Sequence, residues 1–113
     1  MNNHRTLLII DDEVDVCLLL RRALQKRFYK VECAHSLADG VFASVALQPD
    51  VILLDNNLPD GFGIEHIARF KNESKMVHIV MISAMDIQQE AMLAGADAFL
   101  SKPVDLKALD IIN

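Results

Sequence analysis

Clustered basic residues are missing from this chain. Eleven Lys and Arg are scattered among 16 Asp and Glu, and the net charge is −5. Phosphate binding needs grouped Lys and Arg, so the expectation is no direct nucleic-acid binding by this segment. Long apolar runs are missing as well: none approaches the ~20 residues that span a bilayer. Residues 1–5 lead straight into a strand pattern with no signal-peptide core, so the expected setting is cytoplasmic, with no membrane contact. Cysteine is scarce. Cys17 and Cys33 have no metal-type spacing and suit free thiols in a reducing compartment. His4, His35, His66 and His78 show no ligand spacing and carry no assigned role. Repeats, linkers and low-complexity tracts are absent. The 113 residues, 52% hydrophobic, therefore read as a single domain over 1–113.

What is present is a repeated pattern, an aliphatic run ending in a polar side chain. Val51-Ile52-Leu53-Leu54 runs into Asp55, followed by the turn residues Asn56-Asn57-Leu58-Pro59-Asp60-Gly61. Leu7-Leu8-Ile9-Ile10 runs into Asp11-Asp12, and His78-Ile79-Val80-Met81-Ile82 runs into Ser83. Short apolar runs closed by turn signals read as strands buried on both faces. In parallel array they bring Asp11, Asp12, Asp55 and Ser83 to the carboxyl rim of one sheet, where open α/β sheets bind ligands.

The remaining pattern supplies the connections. Strands are expected at 6–10, 29–34, 51–55, 78–83 and 98–101. Val16, Leu20 and Leu24 fall at helical spacing and predict a helix from 14 to about 27. Ser36 with Asp39 has capping-box spacing, and Leu37, Val41 and Val45 then mark a helix ending before Pro49. Ile64, Ile67 and Ala68 mark a short third helix. Asp86 is the expected cap of a fourth, which carries Ile87, Ala91 and Ala94 and is closed by Gly95. Pro103 opens a last helix with Leu106, Leu109 and Ile112 along one stripe. That helix has no stop signal before Asn113, so a last helix cut short is expected, with any effector domain outside this chain. Met76, Met81, Met85 and Met92 read as core filling. The alternation defines (βα)5, a doubly wound parallel sheet with helices on both faces.

The rim has a definite chemistry. Three carboxylates gathered within ~4 Å repel by roughly 4 kcal/mol per pair at an effective dielectric of about 20. Such a trio survives by protonating one member or binding a cation, and hard oxygen ligands facing solvent suit Mg²⁺. Lys102 follows the fifth strand and can reach over the same rim, while Ser83 offers a hydroxyl. Metal, ammonium and hydroxyl together can hold a transferring phosphoryl group, and Asp55 in the middle strand is the candidate nucleophile. Read singly, Asp11-Asp12 could cap the first helix, Asp55 could make an Asx turn, and Lys102 could be a solvated surface lysine.

Taken together, Asp11-Asp12, the Asp55–Gly61 stretch, Ser83-Ala84, Phe99 and Lys102-Pro103 resemble the receiver domain of bacterial two-component response regulators. The resemblance implies a flavodoxin-like sheet of strand order 2-1-3-4-5. It implies phosphorylation of Asp55 by a sensor histidine kinase. Mg²⁺ would be held by Asp11, Asp12, Asp55 and the backbone carbonyl of Asn57. Ser83 and Lys102 would bind the phosphoryl group, and Phe99 would swing inward when Ser83 moves. It further implies weak self-phosphorylation and autodephosphorylation rather than enzymatic turnover, tuning of the acyl phosphate lifetime by Asn57 and Met85, and often a cis bond at Lys102-Pro103. The switched surface would be the fourth helix, fifth strand and fifth helix, roughly 87–112, and a homodimer through it is expected on activation. Asn56 departs from the usual apolar residue after the phosphoacceptor, and would face either solvent or the phosphoryl group. Phe99 replaces the more frequent tyrosine. Two other readings are a haloacid-dehalogenase-type phosphohydrolase, with Asp11 as nucleophile, and a pseudo-receiver acting only by interaction. A flavodoxin-like cofactor binder would need a phosphate loop rich in Gly, Ser and Thr.

Overall fold

The computed structural model describes residues 4–74 and 76–112. Met1 to Asn3, Lys75 and Asn113 lie outside them, and with Asn113 the expectation about where the last helix stops. Five strands build one parallel sheet: β1 (Thr6–Ile10), β2 (Lys30–Ala34), β3 (Val51–Asp55), β4 (His78–Ser83) and β5 (Ala98–Ser101). Their order is β2-β1-β3-β4-β5, the expected 2-1-3-4-5. Around it lie α1 (Val14–Leu24), α2 (Leu37–Leu47), α3 (Ile67–Glu73) and α4 (Gln88–Leu93).

The aliphatic runs are buried on both faces because each strand feeds two cores in alternation. Leu7, Ile9, Val51, Leu53, Val80 and Ile82 pack with Cys17, Leu20 and Leu24 of α1 and with Leu109 and Ile112. Leu8, Ile10, Ile52, Leu54, Ile79 and Met81 pack on the opposite face with Leu37, Ile67, Phe70 and Ala91. Ile10 pairs with Leu54 across β1 and β3. One step further along both strands, Asp11 and Asp55 follow the alternation onto the α1 side.

Several local expectations are corrected. α1 stops at Leu24 rather than near 27, because the chain turns there to bury Phe28. The guanidinium of Arg27 meanwhile reaches the Leu109 carbonyl at 3.0 Å and Asp110 at 2.9 Å. In α2 the Ser36 hydroxyl accepts from the Asp39 amide, as the capping pattern predicts. The amides of Leu37 and Ala38 donate to the Asp60 carboxylate at 2.8 and 2.9 Å, a long-range cap that local spacing cannot reveal. Leu37, Gly40 and Ser44 form the buried side of α2, which leaves Val45 exposed. Ahead of α3 comes a 3-10 turn, Gly63–His66. Asp86 does not cap α4. The cap position is Ile87, and the preceding turn is closed by the Ser83 hydroxyl accepting from the Met85 amide. The last helix is a 3-10 segment, Leu106–Ile111, capped by Asp105 accepting from the Lys107 amide. Its i, i+3 geometry stacks Leu109 and Ile112 on one buried face, while Leu106, at the start of the segment, is exposed. Of the four methionines read as core, only Met81 is buried; Met76, Met85 and Met92 are exposed, since they lie in loops and on the outer face of α4.

After β3 a two-residue antiparallel ribbon, Asn57–Leu58 with Gly61–Phe62, folds the chain back over the rim. Gly63 then passes so close to β3 that a Cβ on it would lie 2.3 Å from the Asp55 carbonyl oxygen and 3.0 Å from Leu54. Both neighbours are rigid core, so Gly63→Ala is expected to lower stability by about 1–3 kcal/mol. Urea unfolding checks this, and a variant as stable as wild type would show that the loop yields freely.

Candidate functional site

The three acidic side chains converge as the strand pattern predicts. Asp11, Asp12 and Asp55 each bring a carboxylate oxygen within 4.8 Å of the others, and they form the potential metal cluster found among the described residues. Asp11 and Asp55 are buried, 1% and 4% exposed, whereas Asp12 faces solvent. Asp11 Oδ1 accepts from the Glu13 amide at 2.9 Å, so part of the local-turn reading also holds. Its other oxygen, Oδ2, is buried and faces the Lys102 ammonium.

Lys102 enters this cluster from the end of β5. Its Nζ lies 3.1 Å from Asp11 Oδ2, 3.1 Å from Glu13 Oε1 and 3.4 Å from Asp55 Oδ1. The Lys102 amide donates to the Ser83 carbonyl at 2.9 Å, and the Lys102-Pro103 bond is cis. A cleft of about 300 Å³ opens above, lined by Asp12, Glu13, Asp55, Asn57, Ala84 and Lys102. Ser83 is buried at the end of β4, just behind this lining, with its hydroxyl engaged by the Met85 amide. Phe99 is half-buried on β5, paired with Met81 and packed against the α2–α3–α4 core.

Electrostatics follow from this placement. Burial pushes the Asp55 carboxyl up from 3.8 to about 6; the charge on Asp11 adds to the rise, and Lys102 opposes it. Burial works against the Lys102 ammonium, but hydrogen bonds to Asp11 and Glu13 and the charge on Asp55 outweigh it and hold the group above its ordinary value. The two amides bonded to Asp60 hold that carboxylate below its ordinary value.

Three contributors are not evident from the sequence pattern. Glu13 is the third carboxylate on Lys102; its only signal was its place in the Asp11-Asp12-Glu13 run. Asn56 faces neither solvent nor the cleft. It is buried, and its Oδ1 accepts from the Ile64 amide at 3.0 Å. Its own amide donates to the Ile82 carbonyl, and its carbonyl accepts from Gly63 at 2.8 Å. Asn56 therefore fixes the loop behind Asp55, and Gly63 is the second brace.

An open parallel sheet carrying an acidic trio and a reaching lysine at its carboxyl rim is the frame of a phosphorylation switch. The chain belongs to the response regulator receiver domain family, whose model matches residues 7–112. It is 37% identical over 105 residues to the KDP operon transcriptional regulatory protein KdpE of Escherichia coli (strain K12), and the match spans 90% of this chain and 46% of that protein. It thus covers about half the length of that relative. A response regulator protein from Burkholderia pseudomallei, described with a phosphorylated aspartic acid, calcium ion and citrate, superposes with a TM-score of 0.85 at 25% identity, covering 93% of this chain and 64% of that one. A two-component response regulator from Clostridium difficile shares the fold, with a TM-score of 0.89 at 24% identity over 96% of this chain and 92% of its own. No helix among the described residues is long and apolar enough to cross a membrane.

The raised Asp55 pKa has a stability consequence. The folded state holds the Asp55 proton to about pH 6 and the unfolded chain only to 3.8, so stability present below 3.8 is lost as pH rises through 6. In metal-free buffer, Asp55→Asn is expected to be more stable than wild type at pH 8 by as much as about 3 kcal/mol, with the gain vanishing below pH 4. Urea unfolding at both pH values measures this; a variant less stable at pH 8 would refute the buried-charge account.

Proposed function

We propose that Asp55 is the phosphoacceptor of a two-component phosphorelay and that residues 1–113 act as one receiver unit. The observation that carries this reading is Lys102 Nζ lying between Asp11 Oδ2 and Asp55 Oδ1 at the mouth of the acidic cleft. An Asp55 carboxylate oxygen attacks the phosphorus of a phosphohistidine on a sensor histidine kinase. The P–N bond breaks with its electron pair passing to the imidazole, and a mixed acyl phosphate forms on Asp55. Lys102 neutralises charge on the phosphoryl oxygens. Ser83 turns its hydroxyl toward them and releases the Met85 amide. Attack of water on the phosphorus then returns Asp55 slowly to its free state, so the domain is a timed switch with weak self-phosphorylation and autodephosphorylation.

Asp11, Asp12, Asp55 and the backbone carbonyl of Asn57 fit a divalent ion, Mg²⁺ in the cell, and the gathering of the three carboxylates within 4.8 Å of one another supports that fit. When bound, the ion supplies charge neutralisation at the carboxylates and at one phosphoryl oxygen. The calcium and phosphorylated aspartate of the Burkholderia relative agree with such an arrangement. A groove of about 410 Å³ shares Glu13 and Lys102 with the cleft and is otherwise lined mainly by apolar residues, Val16, Leu19 and Leu20 of α1 facing Val104 and Leu106. It suits the kinase segment that presents the phosphohistidine. Once Ser83 moves, Phe99 fills the space behind it, and α4, β5 and the Leu106–Ile111 segment change their outer surface. That surface exposes Met92, Leu93, Leu106 and Ile111 and would pair two copies on activation. The segment acts in the cytoplasm without touching nucleic acid.

Incubation with acetyl phosphate and Mg²⁺, followed by intact mass, tests the central step. One phosphate on wild type and none on Asp55→Asn is expected, and the phosphorylated sample should sediment as a dimer. Equal labelling of the two proteins would overturn the assignment of Asp55, and an unchanged sedimentation coefficient would overturn the dimer.

A further inference from the structure

Both cysteines sit directly behind the acidic rim. Cys17 lies on the buried side of α1, 1% exposed, and Cys33 lies half-buried on β2, an edge strand of the sheet, in register with Ile9. Both are free thiols. They share one core cluster, and the Cys33 thiol donates to the Cys17 carbonyl at 3.9 Å. The Cys17 thiol donates to the Asp11 carbonyl at 3.5 Å and lies 3.8 Å from His35 Nδ1. That same His35 nitrogen donates to the Asp11 carbonyl at 2.8 Å. The backbone of Asp11, one of the rim carboxylates, is thus held by a thiol and an imidazole.

We propose that Cys17 and Cys33 form an oxidisable dithiol in which Cys33 reacts with hydrogen peroxide and Cys17 closes an intramolecular disulfide. The two thiols are not equivalent. Cys33 is the more accessible and has Arg21 and His35 nearby, with Glu32 as the opposing charge. The neighbouring Cys17 thiol first, then the charges on Arg21 and His35, outweigh burial and hold the Cys33 thiol below its ordinary value. In the first step the Cys33 thiolate attacks one peroxide oxygen. The O–O bond breaks, and Cys33 becomes a sulfenic acid as hydroxide leaves. In the second step the Cys17 sulfur attacks that sulfenic sulfur. The S–O bond breaks, and the Cys17 proton leaves with the oxygen as water. Overall two thiols and one peroxide give a disulfide and two waters, a two-electron oxidation. The disulfide removes the S–H donor from the Asp11 carbonyl and draws the start of α1 toward β2, so oxidation is felt at the rim. This coupling rests on the reading of that rim as the phosphoacceptor site; the disulfide itself does not.

The full chain, reduced, desalted and dilute, is treated with hydrogen peroxide, denatured and alkylated with N-ethylmaleimide. The expected product has lost two hydrogens, takes no alkyl group and maps as a Cys17–Cys33 link, in wild type and in Asp55→Asn alike. Two alkylated cysteines, or links only between chains, would overturn the dithiol. With acetyl phosphate and Mg²⁺, the disulfide form should be phosphorylated roughly two- to fivefold more slowly, the size of one lost weak hydrogen bond. Dithiothreitol should restore the rate, and Cys33→Ser should not respond to peroxide. Equal rates in both redox states would overturn the coupling alone, and no phosphate uptake in either state would overturn the phosphoacceptor reading instead.

Discussion

The structure depends on one electrostatic arrangement, the enforced closeness of Asp11 and Asp55 at the end of two adjacent buried strands. Neither carboxylate can retreat. Behind each lie four aliphatic residues with no exposure, packed alternately into two cores, so moving either aspartate means moving the centre of the sheet. With Asp12 and Glu13 alongside, four carboxylates share a rim with the single ammonium of Lys102. The rim therefore stays negative, and a divalent ion or a bound proton relieves it. A phosphoryl group alone would add to the charge, so the proposed phosphoacceptor and cation site belong together.

The surroundings brace this arrangement. Asn56 ties the end of β3 to Ile64 and Gly63, and Gly63 is admitted only because it carries no side chain. Asp60 fastens the same loop to the first turn of α2. Ser83 closes the turn into α4, while its carbonyl holds the Lys102 amide. A change at Asp55 thus has short, hydrogen-bonded routes into α2, α3 and α4. In the proposed switch, the route through Ser83 ends at exposed apolar side chains on α4 and the C-terminal 3-10 segment, where another molecule would read it.

What was legible from the residues alone was the sheet and its acidic rim. Aliphatic runs ending in Asp11, Asp55 and Ser83 mark strands and their ends without ambiguity, because a strand buried on both faces has few other sequences open to it. Helix ends and caps were less legible, since distant groups decide them. Asp60 completes the α2 cap from 22 residues away, Phe28 ends α1 by turning inward, and α4 starts at Ile87 without the side-chain cap expected from Asp86. The part of Asn56 was hidden for the same reason: its partner amide belongs to a later loop. Of the site itself, the carboxylates and Lys102 were readable, whereas the contact from Glu13 and the His35–Cys17 support of Asp11 needed the folded chain.

The most direct measurement is the titration of the Asp55 carboxyl carbon by NMR in metal-free buffer and again with saturating Mg²⁺. The expected result is a midpoint near 6 without the ion, as burial and Asp11 require, and a marked fall once Mg²⁺ is present. A midpoint at the ordinary 3.8 that ignores Mg²⁺ would contradict the claim that this rim is built around crowded charge and a cation.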